Sequence, residues 1–341
     1  MKALLLTPTY FPQLTGNAVT VDRISKHLAA AGIASLVVDL SQTDKEQVVR
    51  QTIRFQPDII HTFHAYKSGR IARFVKVQTG TRFIVTMTGT DLNVDLKSAR
   101  KKKAILEILH DADAVTVFNE AAEAILLEAG VLKDKVVIIH QSVSFPDAPY
   151  VDFRGLFDID RDSIVFLVVG AVRRIKNIEL AYHVLNDLKH RFPCIHLIIA
   201  GPIIEYETFK NLEAQIADKT WVTYAGAVAR EDIRSLFLSS DVFLNTSFSE
   251  SESNAMLEAL SCRMIVVGRN ISGNTSVLND ETGFLFSDKR DLRRKIIYII
   301  QNFMKMNTMR QKAETSAALD FSQIREQRAY LNLYKIISKK A

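Results

Sequence analysis

The sequence has little cysteine, no long apolar run and no glycine-rich dinucleotide fingerprint. Its two cysteines, Cys194 and Cys262, are too few for a disulfide framework and lack zinc-site spacing. Both lie beside apolar runs, so we expect buried, inert thiols. The longest apolar runs, such as residues 164–169, fall far short of the about 18 residues that span a bilayer. The absence of G-x-G-x-x-G argues against a dinucleotide oxidoreductase.

What the sequence does contain is the composition of a soluble globular protein. Hydrophobic residues make up 48% and charged residues 24%, and 341 residues suggest two domains. The sequence pI of 9.1 and net charge of +6 suit an anionic ligand, a membrane surface or nucleic acid. Thr7 and Pro8 interrupt the apolar N-terminus before it reaches signal-sequence length. We therefore expect a cytoplasmic protein, with the inner membrane surface as a place for peripheral association.

Short β-branched runs alternate with helical stretches, which predicts parallel sheets covered on both faces. The alternation of strands and helices is interrupted at 144–162 and then resumes. We therefore expect two doubly wound α/β halves joined by a linker. Such sheets bind ligands beyond the carboxyl ends of their strands, so the expected site is a cleft between the halves. The predicted strands are 3–6, 35–39, 58–61, 83–86, 114–118, 136–139, 163–170, 196–200, 221–224, 241–244 and 264–267.

The stretch 247–260 carries the most specific pattern. A serine-rich turn follows an apolar strand, and Ser253 or Asn254 would cap the helix that comes next. The start of a helix is an anion site, because its first backbone N–H groups lack intrahelical partners. Glu250 and Glu258 bracket this site with seven residues between them. Carboxylates do not bind phosphate, so we expect each glutamate to accept hydrogen bonds from one sugar of a sugar nucleotide.

Three other strand ends carry candidate residues. Gly16 and Asn17 at a helix start would let a ligand approach the backbone closely, although an ordinary β–α loop also fits. Asp91 would orient a hydroxyl or another nucleophile, or serve only as a turn or cap residue. Arg173 and Lys176 follow the first strand of the second half and offer countercharge for a diphosphate. A solvated basic loop is the alternative there.

The segment 67–103 is strongly basic. The run 99–109, which begins inside this segment, predicts an amphipathic helix that would lie on anionic lipid, attract a charged acceptor or present a plain solvated face. Nucleic acid is disfavoured, because few aromatic residues interleave with the charges and no known motif appears. His61 and His64 end a strand without carboxylate or cysteine partners at metal spacing. They are interpreted as core or cleft-lining histidines, and no metal site is expected.

Together these residues resemble the retaining glycosyltransferases of the GT-B fold, family 4, over nearly the whole chain. The family's E-x7-E element is similar to Glu250 through Glu258, and 282–286 stands where the family has a later T-G-x-L turn. Residues 88–92 look most like the branch that contains selenosugar synthase. Residues 270–274 are similar to the glycosyltransferase 1 domain-containing proteins.

The resemblance implies the fold and the activity. The fold would comprise two Rossmann-like domains facing across a cleft, with 1–150 binding the acceptor and 151–320 the nucleotide sugar. A C-terminal helix, 321–341, would cross back to the first domain. The activity would be retaining, metal-independent transfer of a hexose-type sugar from a nucleotide diphosphate sugar, UDP favoured, without a separate cofactor. The acceptor stays unidentified; the basic segment 67–103, and not the resemblance, indicates an anionic or lipid-linked one, with 97–103 associating weakly with anionic membrane.

The resemblance also implies roles for individual residues. Glu250 would hold the hydroxyls of the transferred sugar, and Glu258 the ribose. Thr88 stands where the family often has a histidine, which leaves Asp91 as the element on the acceptor side. Gly170 and Ala171 replace the family's Gly-Arg pair, so the arginine would be Arg173. The implied catalytic residues are Arg173, Lys176, Glu250 and Asp91.

The remaining positions would bind the donor. Backbone amides at the start of the helix would hold the distal phosphate, and the chain after the 221–224 strand would contact the base. The implied donor-binding residues are Gly16, Asn17, Val228, Ser253, Asn254, Ala255 and Glu258. Two other classes stay open: a GT-B epimerase or phosphorylase, and a non-catalytic nucleotide-sugar-binding protein.

Overall fold

The structure is a computed structural model that describes residues 1–11 and 15–339. The chain forms two compact units, one from Met1–Ser142 with the segment after Ser322, the other from Val143–Ser322. Each unit contains a six-stranded sheet in which every strand pair is parallel. The predicted α/β fold class is confirmed.

The first sheet has the order β2-β1-β3-β4-β5-β6. Its inner strands are almost continuously buried because helices cover both faces. The strands are β1 (Lys2–Thr7), β2 (Ala34–Asp39), β3 (Ile59–Phe63), β4 (Phe83–Thr86), β5 (Ala114–Val117) and β6 (Val136–Ile138). The helices between them are α1 (Gly16–Ala30), α2 (Lys45–Phe55), α3 (Gly69–Thr79), α4 (Thr90–Asn93), α5 (Ala99–Asp111) and α6 (Glu120–Glu128). Short 3₁₀ turns occupy Asp95–Lys97 and Lys133–Lys135.

The second sheet has the order β12-β11-β10-β7-β8-β9. Its first strand, β7, therefore lies inside the sheet beside β10, and the chain winds outward in opposite directions from this pair. Ligands bind at such a switch point, because the loops after the two strands diverge. The strands are β7 (Ile164–Val169), β8 (Ile195–Ala200), β9 (Val222–Gly226), β10 (Val242–Asn245), β11 (Ile265–Arg269) and β12 (Phe284–Phe286).

Helices on both faces of the second sheet bury two apolar clusters. The segment 144–152, within the predicted linker, contains no helix or strand. The helices are α7 (Phe153–Leu156), α8 (Ile178–Lys189), α9 (Tyr206–Ile216), α10 (Ile233–Leu238), α11 (Asn254–Ser261), α12 (Ser272–Thr275), α13 (Lys289–Asn302) and α14 (Asn307–Leu319). The 3₁₀ turns are Arg174–Lys176 and Phe303–Lys305.

The last helix, α15 (Gln323–Lys339), belongs to the first unit, as the predicted fold requires. Its Tyr330 and Tyr334 are buried in the core beside residues of α1 and β3. Glu326 accepts hydrogen bonds from Arg23 (Nε at 2.7 Å) and from the Ser142 hydroxyl at 2.6 Å. Burial alone would raise the pKa of Glu326, but the Arg23 charge and these hydrogen bonds lower it to about 2. The helix is therefore fixed by an ionised, buried carboxylate as well as by its apolar face.

One expectation about the cysteines is wrong. Cys194 is exposed, because it lies in the loop before β8 and not in the strand itself. Cys262 is partly buried, and burial raises its pKa to about 12.

Over residues 1–11 and 15–339, no helix combines the length and apolar character needed to cross a bilayer.

Candidate functional site

A lysine–glutamate pair occupies the switch point of the second sheet. Lys176 follows β7, Glu250 follows β10, and the Lys176 Nζ donates to Glu250 Oε1 at 2.5 Å. The Ser247 hydroxyl donates to the same oxygen at 2.6 Å. The side chains of Lys176 and Glu250 are 18% and 12% exposed. The pair is thus mostly enclosed, but solvent or a ligand can reach it.

Hydrogen bonds between the two loops fix this pair. Lys176 ends a 3₁₀ turn, and Asn177 after it adopts a left-handed backbone with φ of 48°. The Thr246 hydroxyl donates to the Lys176 carbonyl at 3.2 Å, and the Phe248 amide donates to the Ile175 carbonyl at 2.8 Å. The loops after β7 and β10 therefore act as one support for the charged pair.

The local charges keep Glu250 ionised. Burial would raise its pKa, but the Lys176 charge, the hydrogen bonds from Lys176 and Ser247, and the Arg173 charge together lower it. The Arg173 Nε is buried and, within residues 1–11 and 15–339, has no hydrogen-bond partner. An unpaired guanidinium N–H beside this pair offers a donor to an anionic group.

Short helix α12 packs directly on the Glu250 loop. A Cβ atom on Gly273 would lie 2.4 Å from the Glu250 carbonyl oxygen and 2.8 Å from that of Ser251. No larger residue fits there without moving backbone. The sequence of 270–274 shows only a family likeness, and nothing in it predicts this support.

The motif helix begins as expected. Ser253 is the N-cap of α11, and its hydroxyl accepts the Met256 N–H at 3.3 Å. Asn254 and Ala255 form the first turn, where backbone N–H groups and the helix dipole favour an anion. Glu258 lies one turn further along and is 5% exposed.

Glu258 has a partner that the sequence analysis missed. Arg230, between β9 and α10, donates from Nη1 to Glu258 Oε1 at 2.5 Å. Its Nη2 donates to the Ser144 carbonyl, and its guanidinium lies 5.6 Å from the centre of the Phe145 ring. Val228, the expected base-contact position, lies two residues earlier and is partly buried. Nothing in the spacing of the sequence connects Arg230 with Glu258.

The geometry of Asp91 does not fit its catalytic assignment. The residue is fully buried, and its Oδ1 accepts the N–H groups of Thr88, Gly89 and Leu92 at 2.9 to 3.1 Å. Its Oδ2 accepts the Ala65 N–H at 2.7 Å. A carboxylate held by four backbone amides organises the turn after β4 and presents no exposed edge to an acceptor. The turn-and-cap alternative is the one that matches.

The two strand-end histidines belong to the core. His61 is fully buried between the Tyr334 hydroxyl and the Thr86 hydroxyl, each 2.6 Å away, and burial lowers its pKa to about 3. His64 is also buried, and burial lowers its pKa despite nearby Asp91 and Asp95. Within the described parts of the chain, no group of three or more His, Cys, Asp or Glu side chains could hold a metal ion.

Gly16 and Asn17 are the first residues of α1, in the first unit. Thr15 caps this helix by accepting the Ala18 N–H at 3.2 Å. Part of the loop before them, 12–14, lies outside the described residues. The other implied site residues, apart from Asp91, lie in the second unit.

Two parallel, doubly wound six-stranded sheets, one in each unit, place the chain in the GT-B class of two-domain α/β proteins. Family models agree: residues 12–141 match the glycosyl transferase 4-like domain, and 153–316 match the glycosyl transferases group 1. The chain belongs to the GT-B glycosyltransferases of family 4.

Known proteins are similar over most of the chain. Glycosyltransferase 1 domain-containing protein 1 of Xenopus tropicalis is 26% identical, covering 81% of both chains. The alpha-monoglucosyldiacylglycerol synthase of Streptococcus pneumoniae is 22% identical, covering 94% of this chain and 83% of that protein. Among solved structures, sucrose-phosphate synthase from Thermosynechococcus elongatus has a TM-score of 0.84 at 18% identity, with full coverage of both chains. Anabaena HepE in complex with UDP-glucose has a TM-score of 0.82 at 17% identity, covering 98% of this chain and 100% of that one.

Proposed function

We propose that this glycosyltransferase transfers a hexose-type sugar from a UDP-sugar to an acceptor with retention of anomeric configuration and without a metal. The observation that carries the proposal is the Lys176–Glu250 pair at the switch point of the second sheet, 2.5 Å apart. A similar structure, that of HepE, contains UDP-glucose, which supports the same donor class.

Departure of the diphosphate is the step that these residues would assist. Negative charge grows on the bridging oxygen as the sugar leaves, and fixed donors stabilise it without reorganising. Lys176 is already oriented by Glu250, Arg173 has a free Nε, and the first turn of α11 adds backbone N–H groups. These three elements would supply the countercharge that a metal provides elsewhere.

Each of the two glutamates would bind a different sugar of the donor. Glu250 is ionised beside the diphosphate countercharge, so it would accept hydrogen bonds from the transferred sugar. Glu258 lies one turn into α11, beyond the proposed phosphate position, where a ribose would follow. Val228 would contact the base through its backbone.

For the acceptor, we propose a lipid-linked molecule at an anionic membrane, approached through α5. Arg100, Lys102 and Lys103 are exposed in the first turns of this helix, and the described residues provide no ion pair for them. A cation in the first turn, such as Arg100, opposes the helix dipole by about 0.3–1 kcal/mol, so a nearby anionic surface would relieve a local cost. The similarity to a diacylglycerol-modifying enzyme supports this choice.

Vesicle sedimentation tests the membrane proposal. We expect binding to phosphatidylcholine vesicles that contain phosphatidylglycerol, and none to phosphatidylcholine alone. Replacing Arg100, Lys102 and Lys103 with alanine should weaken binding on the order of a hundredfold, at about 1 kcal/mol per basic residue. The control removes the exposed Lys210, Lys305 and Arg328 instead. Equal binding by both triple variants would count against a role for α5.

A thermal-shift panel of sugar nucleotides, followed by turnover assays, tests the catalytic proposal. A UDP-sugar at about 100 times its dissociation constant should stabilise the protein by about 2.7 kcal/mol. Product with the donor's anomeric configuration, formed in the presence of EDTA, is the expected outcome. An inverted product or a loss of turnover in EDTA would contradict it. Conversion of the sugar nucleotide without any acceptor would indicate an epimerase or phosphorylase. Binding without turnover would indicate a non-catalytic protein.

A further inference from the structure

Arg230 joins two parts of the second unit that are distant in sequence. One guanidinium nitrogen donates to Glu258 on α11, and the other donates to the carbonyl of Ser144 in the segment that opens the unit. The guanidinium carbon also lies over the Phe145 ring, 5.6 Å from its centre. The three contacts need the planar guanidinium fork of arginine, in which two terminal nitrogens donate in different directions. A lysine, with a single ammonium group, could not reproduce them.

Arg230 and Glu258 form a mostly buried ion pair. The side chains of Arg230 and Glu258 are only 15% and 7% exposed. Removing one member of an enclosed ion pair is costly, because it takes away a charge that offsets the burial of the other member. Arg230 is itself held at two other points, so it fixes the direction of the Glu258 carboxylate as well as its charge.

We propose that Arg230 is a positioning residue for the nucleoside of the donor. It pairs with the Glu258 carboxylate and aims it at the ribose hydroxyls, while its second nitrogen anchors the pair to Ser144. Arg230 also lies two residues after Val228, so one short segment serves both base and ribose. The inference rests on the proposed function, in which Glu258 binds ribose.

Discrimination between UDP and 2′,3′-dideoxy-UDP, measured by calorimetry, tests this role. The wild-type protein should bind UDP at least about tenfold more tightly than 2′,3′-dideoxy-UDP. The reason is that the ribose hydroxyl groups donate charge-assisted hydrogen bonds to a carboxylate. Arg230→Gln should lose most of this preference while both ligands keep their diphosphate contacts. Arg230→Lys should retain part of it, because a lysine restores charge but not the fork. Donor KM should rise in both variants with kcat little changed.

Glu258→Gln separates failure of the inference from failure of the proposed function. If this variant keeps the full preference for UDP, Glu258 does not bind ribose and the proposed donor orientation fails. If Glu258→Gln loses the preference and Arg230→Gln keeps it, only the role of Arg230 is overturned. The double variant should be no worse than Glu258→Gln alone, because both act on one contact.

Two further variants control for folding. Arg234 also lies over the Phe145 ring, at 6.0 Å, so Arg234→Gln reports the effect of disturbing the packing there. It should leave the UDP preference unchanged. If Arg230→Gln does not fold, Arg230→Lys is the variant to measure. A lysine variant with the wild-type preference for UDP and the wild-type donor KM would show that the planar guanidinium fork is not needed.

Discussion

At the scale of single residues, the charge on Lys176 has two uses. It offsets the cost of enclosing Glu250 and lowers that residue's pKa. It also faces the proposed diphosphate, where its remaining N–H groups are donors. A residue that is already held in place stabilises developing charge without an entropic cost at the moment of reaction.

Lys176→Ala should therefore lower kcat on the order of 10²–10³-fold, the effect of losing one preorganised donor. Donor affinity should change far less, because in the proposed complex Arg173 and the first turn of α11 would also hold the ground-state phosphate. Rapid-mixing turnover and UDP calorimetry measure the two effects separately. Glu250→Ala is the companion variant and should remain folded but inactive. Unchanged turnover in Lys176→Ala would remove the lysine from the mechanism.

The sequence predicted single residues unevenly, for a physical reason. Lys176 was predicted as a strand-end cation and Glu250 as one of two carboxylates that bracket a helix start. Both follow parallel strands, whose carboxyl ends meet at one edge of a sheet. Asp91 followed a strand in the same way, yet whether a carboxylate faces solvent or backbone amides depends on the turn around it. The contact between Arg230 and Glu258 joins separate elements, so no local pattern contains it.

At the scale of elements, α12 sets the position of the Glu250 loop. Gly273→Ala should force the backbone apart, because its Cβ would lie 2.4 Å from the Glu250 carbonyl oxygen. Overpacking of this kind costs about 1–3 kcal/mol in stability. Activity should fall about a hundredfold, the effect of a displacement of roughly 1 Å at a reacting centre.

Turnover and urea unfolding of Gly273→Ala test this effect. Thr275→Ala, an exposed change on the same short helix, is the matched control and should resemble wild type. Wild-type activity in Gly273→Ala would mean that a shift of the Glu250 loop does not affect the function of Glu250.

Elements were predictable where their pattern was strong and local. Buried strands such as β7 were found almost to the residue, because an uninterrupted apolar run in a parallel sheet has few alternatives. The cap of α11 was narrowed to two residues by side-chain chemistry. Strand β12 was predicted only as a turn, since three residues after a glycine carry too little periodicity to identify a strand.

At the scale of the whole molecule, the first unit is assembled from both ends of the chain. The apolar face of α15 indicates that the helix packs on something, but an apolar face does not select its partner. Selection comes from Glu326, whose carboxylate meets Arg23, His27 and Ser142 in one buried cluster. The hydrophobic periodicity of the helix does not reveal these contacts, because each one joins positions more than a hundred residues apart.

Glu326→Ala should destabilise the protein by about 3–5 kcal/mol, because it leaves the buried Arg23 without its counter-ion. The pKa of Glu326 is depressed to about 2, so its contribution is complete above the unfolded value near 4.5 and declines as pH falls toward 2. In urea unfolding the deficit should therefore be present in full at pH 8 and should shrink as the pH falls below 4.5 toward 2. Arg328→Ala, an exposed change on the same helix, is the control. A deficit below about 1 kcal/mol, typical of an exposed pair, would show that apolar packing alone holds the helix.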